Sequence, residues 1–498
     1  MLLVRAAFDP TGLLNPGKII PLLSGCGEGR AVFLASGDAS SLEPATSTGG
    51  SIPPQKAPKG ATRSFDGSAP GTNSSSDRGD FNSEGAAILI AAIVGDTYVS
   101  QYSNSHSLIV SPASTAEVSE IMRLSSSEGW TAIAAGGMTW LNKPTANLIV
   151  ATNRLNKIIE HEPADLIAVT EGGVTLREFN DALMGRGQWL PLDPPDDGRA
   201  TIGGVVATGL GGAQQYGYGC PRGSVIGMKV VLANGDIVKA GGRVVKNVAG
   251  YDLCKLFTGS YGSLGVLTEV NFKLRPRPQR ESTVVATGRY PDLIANASEL
   301  IEARLFPVAV ELVSSELAIR LGITADSDSS VLLARFAGNQ KGVEYQTQSA
   351  LAMLSGRESI LEADVVFEDD ALWRSIAAVP LQWKAGWRAR VLPSELSSFV
   401  ETVSRIYGAS FDSMLWQAGV GCGRIRMITD SESGLETANG LYEALRMAAR
   451  TAGGTLIVES TMPELHNSEG SEKGARELGR RIKRQLDPQH VFPNPVFL

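Results

Sequence analysis

Cysteine and histidine are scarce in this chain, four of each in 498 residues. The cysteines (Cys26, Cys220, Cys254 and Cys422) stand far apart, with no C-x-x-C pair. That spacing cannot hold an iron–sulfur cluster and suits a reducing compartment. The histidines (His106, His161, His466 and His490) are equally scattered, so no metal-ligand motif is read. Long apolar runs are missing too. The longest, Ala86 to Val94, is about half of the roughly 20 residues that a membrane helix needs, and no transmembrane segment is expected. The N-terminus lacks a basic stretch leading into an apolar core, so no signal peptide is read and the expected location is cytoplasmic. Positive charge is not in excess: a net charge of −7 argues against general nucleic-acid binding.

What is present describes a globular protein of two or three domains, with 43% hydrophobic and 19% charged residues. Residues 22–84 are rich in Ser, Gly, Pro and Thr. They cannot bury enough apolar surface to offset the entropy of ordering and read as a flexible, disordered linker. Order is expected to resume at Gly85. Leu108–Val110, Leu148–Val150 and Leu166–Val169 read as short strands. Ser114-x-x-Glu117 and Thr175-x-x-Glu178 are capping boxes, the first preceding a helix with Val118, Ile121 and Met122 inward, the second one with Leu176, Phe179 and Leu183 inward. Asn234-Gly235 between Met228–Ala233 and Asp236–Lys239 is a hairpin signal.

Glycine is concentrated in a central stretch, residues 200–276. It opens with Ala200-Thr201-Ile202-Gly203-Gly204-Val205-Val206-Ala207-Thr208-Gly209-Leu210-Gly211-Gly212. It closes with Lys246-Asn247-Val248-Ala249-Gly250-Tyr251-Asp252-Leu253, then Gly259-Ser260-Tyr261-Gly262-Ser263-Leu264-Gly265-Val266. Without a Cβ the backbone can approach a flat ligand closely, and successive free N–H groups can hold an anion. Two further segments have this character: Ala135-Gly136-Gly137-Met138-Thr139 at the end of an apolar strand, and Leu192-Asp193-Pro194-Pro195. Two nucleotide motifs are rejected. Gly209-Leu210-Gly211 begins like a dinucleotide fingerprint, but Gln214 occupies the sixth position. Gly12 to Lys18 has P-loop spacing, but Ile19 replaces the Ser/Thr that would hold Mg²⁺.

These runs, Lys246 to Leu253 above all, resemble the FAD-linked oxidases of the vanillyl-alcohol-oxidase/p-cresol-methylhydroxylase (PCMH) type. Within that family the chain looks most like the E-type FAD-binding subunit of bacterial glycolate oxidase, since Tyr261 stands where D-type subunits carry Glu and the D-type histidine motif is absent. The resemblance implies an α+β fold, a PCMH-type two-lobed FAD-binding domain over 85–280 followed by an α+β cap or substrate domain over 281–498. It implies FAD and carries the cofactor contacts to Ala135, Gly136, Gly137, Met138, Thr139, Pro194, Thr201, Gly203, Gly204, Ala207, Gly211 and Val266; attachment is expected to be noncovalent, since no histidine lies between His161 and His466 and Cys220 and Cys254 are the only thiols in the glycine-rich core. It assigns no catalytic residue. Residues 1–21, with Asp9-Pro10 and Asn15-Pro16-Gly17, resemble the C-terminal tail of a D-type subunit; Asp487-Pro488 to Pro495 repeats that motif at the end of the chain.

The implied function is that of an FAD-binding subunit in a glycolate-oxidase-like complex, oxidising a 2-hydroxy acid (glycolate or D-lactate). A D-like FAD subunit and an iron–sulfur subunit would be its partners, and attachment to the inner membrane face would come only through them. Two alternatives stay open: a non-catalytic FAD-binding assembly subunit, and an independent flavin alcohol oxidase. Beyond Arg280 the pattern alternates, with strands expected near 282–286, 308–312, 331–336 and 455–459 and helices over 341–355, 394–405, 435–451 and 472–485. Trp383 and Trp387 read as core or interface.

Overall fold

The computed structural model describes residues 81–494 apart from 104, 140–145, 243–251, 327–328, 368, 382–384, 412, 430–437 and 460–472. The readings made on residues 1–80, on Trp383 and on Lys246 to Tyr251 lie outside the described residues.

The first lobe is a four-stranded sheet of β1 (Val99–Gln101), β2 (Leu108–Val110), β3 (Ala132–Ala135) and β4 (Leu148–Ala151), in the order β1-β2-β4-β3. The β2–β4 and β3–β4 pairs are parallel. Helices α1 (Ser83–Val94) and α2 (Thr115–Glu128) contribute to its core through Ile90, Val118, Ile121 and Met122. Ser114 caps α2 as its sequence indicates, its hydroxyl accepting from the Glu117 N–H. Order begins ahead of Gly85: Asn82 caps α1, and Phe81 packs edge-on against Trp130 at 5.8 Å.

The second lobe is a five-stranded antiparallel sheet of β5 (Ile158–Glu162), β6 (Ile167–Glu171), β8 (Val225–Val231), β9 (Ile237–Gly241) and β10 (Val266–Lys273), in the order β5-β6-β10-β8-β9. A two-residue strand β7 (Gln188–Trp189) pairs with β11 (Arg275–Pro276) beside it. Helix α3 (Leu176–Met184) starts on a complete Thr175/Glu178 capping box and buries Leu176, Phe179 and Leu183. The Asn234-Gly235 signal is the turn between β8 and β9. Gly235 takes φ +83°, and a Cβ there would meet the Ser119 carbonyl of α2 at 2.6 Å. The hairpin therefore ties the two lobes together.

The second domain is an eight-stranded sheet, antiparallel throughout, of β12 (Arg280–Gly288), β13 (Ala309–Ser314), β14 (Ser330–Gly338), β15 (Ile360–Phe367), β16 (Ala385–Arg390), β17 (Leu415–Gly419), β18 (Arg424–Thr429) and β19 (Thr455–Val458). Its order is β15-β12-β14-β13-β17-β18-β16-β19. The expected helices occur at Gln340–Ser355, Leu396–Tyr407, Ala438–Thr451 and Lys473–Leu486. The first three join helix Tyr290–Glu302 in the core on one sheet face, with Leu312, Trp387, Trp416, Ile425 and Met427 inward. Strand alternation then puts Glu311, Arg335, Arg388, Gln417, Arg424 and Arg426 on the other face. That face meets the first domain, with Ala213 packed among its apolar residues. The overall class is α+β. Helix Lys473–Leu486 leaves the cap: Ile482 and Leu486 pack in the core of the second lobe and Val491 and Phe492 in that of the first.

Candidate functional site

A cleft of about 140 Å³ opens between the lobes. Its walls come from β3 and the following loop, from Pro194–Pro195, from α4 (Ile202–Thr208) and from the Tyr261–Gly265 turn. Of the residues expected at the cofactor, Ala135, Gly136, Gly137, Met138, Thr139, Pro194, Thr201, Gly203, Gly204 and Ala207 all line it. Gly211 and Val266 do not. Gly211 sits beyond α4, where its carbonyl accepts from Arg424, and Val266 is buried on β10 opposite Val231.

Close backbone packing explains the glycines. A Cβ on Gly136 would lie 1.9 Å from the Thr201 hydroxyl, and one on Gly137 1.9 Å from the Arg199 carbonyl. The loop can therefore rest on the start of α4 only as glycine. Thr201 caps α4, its hydroxyl accepting from the Gly204 N–H at 3.3 Å. Among the described residues, the N–H groups of Gly136, Gly137, Met138 and Thr139 have no hydrogen-bond partner. Two residues on the wall, Met138 (φ +54°) and Tyr261 (φ +53°), hold left-handed backbone, at about 1–2 kcal/mol each. Among the described residues none that lines the cleft is charged.

Charge gathers next to the cleft, on the inner face of the cap sheet. Arg388 and Arg426 are register partners on β16 and β18, and both grip Glu459, Nε to Oε1 at 2.7 Å and Nε to Oε2 at 2.6 Å respectively. Burial alone would push the Glu459 carboxyl up; the two guanidiniums overcome it and hold it at about 2. Arg424 pairs with Glu311 at 2.6 Å and donates to the Gly211 carbonyl at 3.3 Å. Burial raises the Tyr261 phenol, and Arg388, hydrogen-bonded to it, pulls the other way. Tyr261 thus belongs both to the cleft and to the cap's arginine group.

Behind Pro195 a polar space of about 10 Å³, room for no more than a water, is lined by Asp193, Gln417, Arg424 and Arg426. The Gln417 Oε1 and Arg424 Nε atoms are buried without a hydrogen-bond partner among the described residues. Asp193 accepts from the Gly212 and Gln214 N–H groups at 3.1 and 2.8 Å; burial nevertheless pushes its carboxyl up to about 6. Sequence reasoning missed this arginine group. Its signal was Trp387-Arg388-Ala389-Arg390 and Arg424-Ile425-Arg426-Met427, an alternation that ordinarily marks a strand with one face in water. Among the described residues no His/Cys/Asp/Glu group could hold a metal ion.

Comparison with known proteins agrees with the cleft. Residues 106–241 match the family model for an FAD binding domain. The glycolate oxidase subunit GlcD of Bacillus subtilis is 28% identical over 425 residues, 80% of this chain and 90% of that one. By this likeness the chain is an FAD-dependent oxidoreductase. The glycolate oxidase subunit GlcE of Escherichia coli is 37% identical over 172 residues, 34% of this chain and 48% of that one. A p-cresol methylhydroxylase structure with substrate bound superposes with a TM-score of 0.65 at 18% identity, covering 82% of this chain and 95% of that one. This FAD-linked oxidoreductase thus has the PCMH-type fold. Its likeness extends over D-type as well as E-type subunits, and the longer match is to the D-type. FAD is the cofactor, and the cleft suits it: unpartnered backbone N–H groups meet a diphosphate's needs, and α4 presents Gly203 and Gly204 beside the small side chains of Ala207 and Thr208.

Proposed function

We propose that the chain is the FAD-binding, E-type subunit of a glycolate-oxidase-like complex that oxidises a small 2-hydroxy acid, glycolate or D-lactate. One observation carries the reading: Tyr261 lines the cleft and is hydrogen-bonded to Arg388, so cationic groups of the cap lie beside the place where the reacting carbon would sit. When bound, FAD supplies the two-electron acceptor. The protein's own groups bind and orient. The Gly136–Thr139 N–H groups hold the cofactor, and Tyr261, backed by Arg388, faces the acid. The cap sheet, with its apolar neighbours, excludes water.

Attachment of the flavin is noncovalent on this reading, since neither His nor Cys is among the described residues that line the cleft. Electrons then leave for a D-like flavoprotein and an iron–sulfur protein. A second reading, FAD binding for assembly with the chemistry left to a D-like partner, is favoured by the 37% identity to subunit GlcE. Anaerobic addition of glycolate or D-lactate to the purified chain separates the two. Bleaching of the flavin band supports oxidation in this chain. An unchanged spectrum with both acids refutes it. Acid denaturation should release all the colour.

A further inference from the structure

The segment after the cap domain ends inside the first domain. Helix Lys473–Leu486 packs Ile482 and Leu486 in the core of the second lobe, together with Phe257 and Leu264. Six residues on, Phe492 lies with Val491 in the core of the first lobe beside Leu148 and Val150. Lys483 sits between these anchors, its residue 2% exposed. Its ammonium donates to the Ser263 carbonyl at 2.7 Å, to the Phe492 carbonyl at 2.9 Å and to the Asp487 carboxylate. Three donors meet three acceptors. Asp487, fully buried, accepts in turn from the N–H groups of Val491 at 2.8 Å and Phe492 at 2.9 Å. The Val491 carbonyl accepts from the Ala132 N–H at 2.8 Å, and Ser126 and Gln489 are hydrogen-bonded.

Both backbone groups that receive this segment lead directly into the cleft. Ser263 lies between Gly262 and Gly265, which line it, and Ala132 begins the strand that runs into Gly136-Gly137. The walls come together here: a Cβ on Gly262 would stand 3.9 Å from that of Ala134. The walls belong to different lobes, so their spacing depends on whatever spans both.

We propose that the C-terminal segment is the clamp that sets this spacing, with Lys483 and Asp487 as positioning residues for the cofactor. Tail docking and FAD binding then form one coupled equilibrium, and the coupling is reciprocal. The absence of the tail contacts weakens FAD, and FAD holds the tail down.

Hydrogen exchange of the intact protein, with and without saturating FAD, tests the second half. The Val491 and Phe492 amides are expected to gain at least tenfold more protection than amides of the cap helix Leu396–Tyr407. Equal gains in tail and cap, or none in the tail, would overturn the proposal. The first half is tested by Lys483→Met, which keeps the stem and removes the charge, with Lys483→Met/Asp487→Leu as the variant that leaves no buried charge behind. Both are expected to bind FAD at least tenfold more weakly, and wild-type affinity in the double variant would refute the positioning role. Should neither variant fold, the exchange experiment still decides. The proposal rests on the cleft as the FAD site; normal FAD affinity in Gly204→Val would overturn that placement instead.

Discussion

Adjacent glycines on α4 separate the fold's needs from those of the cofactor. A Cβ on Gly203 would lie 2.9 Å from the Gly172 carbonyl, the same oxygen that the Gly203 N–H already meets at 2.7 Å. Alanine there forces backbone apart. On Gly204 a Cβ meets only the end of the Thr201 side chain at 3.2 Å, and the space beyond is the cleft. Neither residue has positive φ, so the substitutions test space and not backbone strain. Gly203→Ala is expected to destabilise the apoprotein by about 1–3 kcal/mol, the usual cost of overpacking. Gly204→Ala is expected to leave apoprotein stability unchanged or raise it by up to about 1 kcal/mol, the helix-propensity gain. It should weaken FAD by about 1–3 kcal/mol, roughly 5- to 150-fold, and Gly204→Val should abolish occupancy in a folded protein. Thermal melting of the apoproteins and a fluorescence titration with FAD measure the two effects separately. Normal FAD binding by Gly204→Val would refute the placement of the cofactor, and equal loss of stability at both positions would refute the division of roles.

Glu459, held at about 2 against an ordinary value of 4.5, contributes stability that is present above pH 4.5 and lost as the pH falls toward 2. Glu459→Gln should therefore flatten the acid limb of the stability curve between those values and lower stability at pH 7, where it leaves Arg388 and Arg426 without their counter-charge; denaturant melts at pH 3, 5 and 7 would show it. Truncation to residues 81–498 should keep FAD at wild-type affinity, whereas starting at Gly85 removes the Asn82 cap and the Phe81–Trp130 contact and should lower the melting temperature; equal melting temperatures would refute the structural role of Phe81 and Asn82.

The first domain was largely legible in the sequence because its signals are local. Capping boxes at Thr175 and Ser114 and the Asn234-Gly235 turn act within a few residues, and the glycines at 137 and 203 are needed where backbones touch. The second domain was legible only as alternation. Strands β15 to β18 escaped notice, and with them Arg388, Arg424 and Arg426, because a strand written charged-apolar-charged has the same period whether its polar face meets water or another domain. Asp193 shows the same limit. Its neighbour Pro194 was read as a cofactor contact, but nothing local tells that the carboxylate is enclosed by Gly212, Gln214 and a strand more than 200 residues away.

The Ala132–Val491 hydrogen bond has a consequence for biogenesis. The two residues are 359 positions apart, and they close the lobe that leaves the ribosome first. At about 5–20 residues per second, that lobe waits roughly 20–70 s for its last piece. During that time the apolar places of Val491 and Phe492, flanked by Leu148 and Val150, have no occupant. The nascent chain thus carries an open hydrophobic seam until Val491 and Phe492 have emerged, and the cell must shield the seam until then.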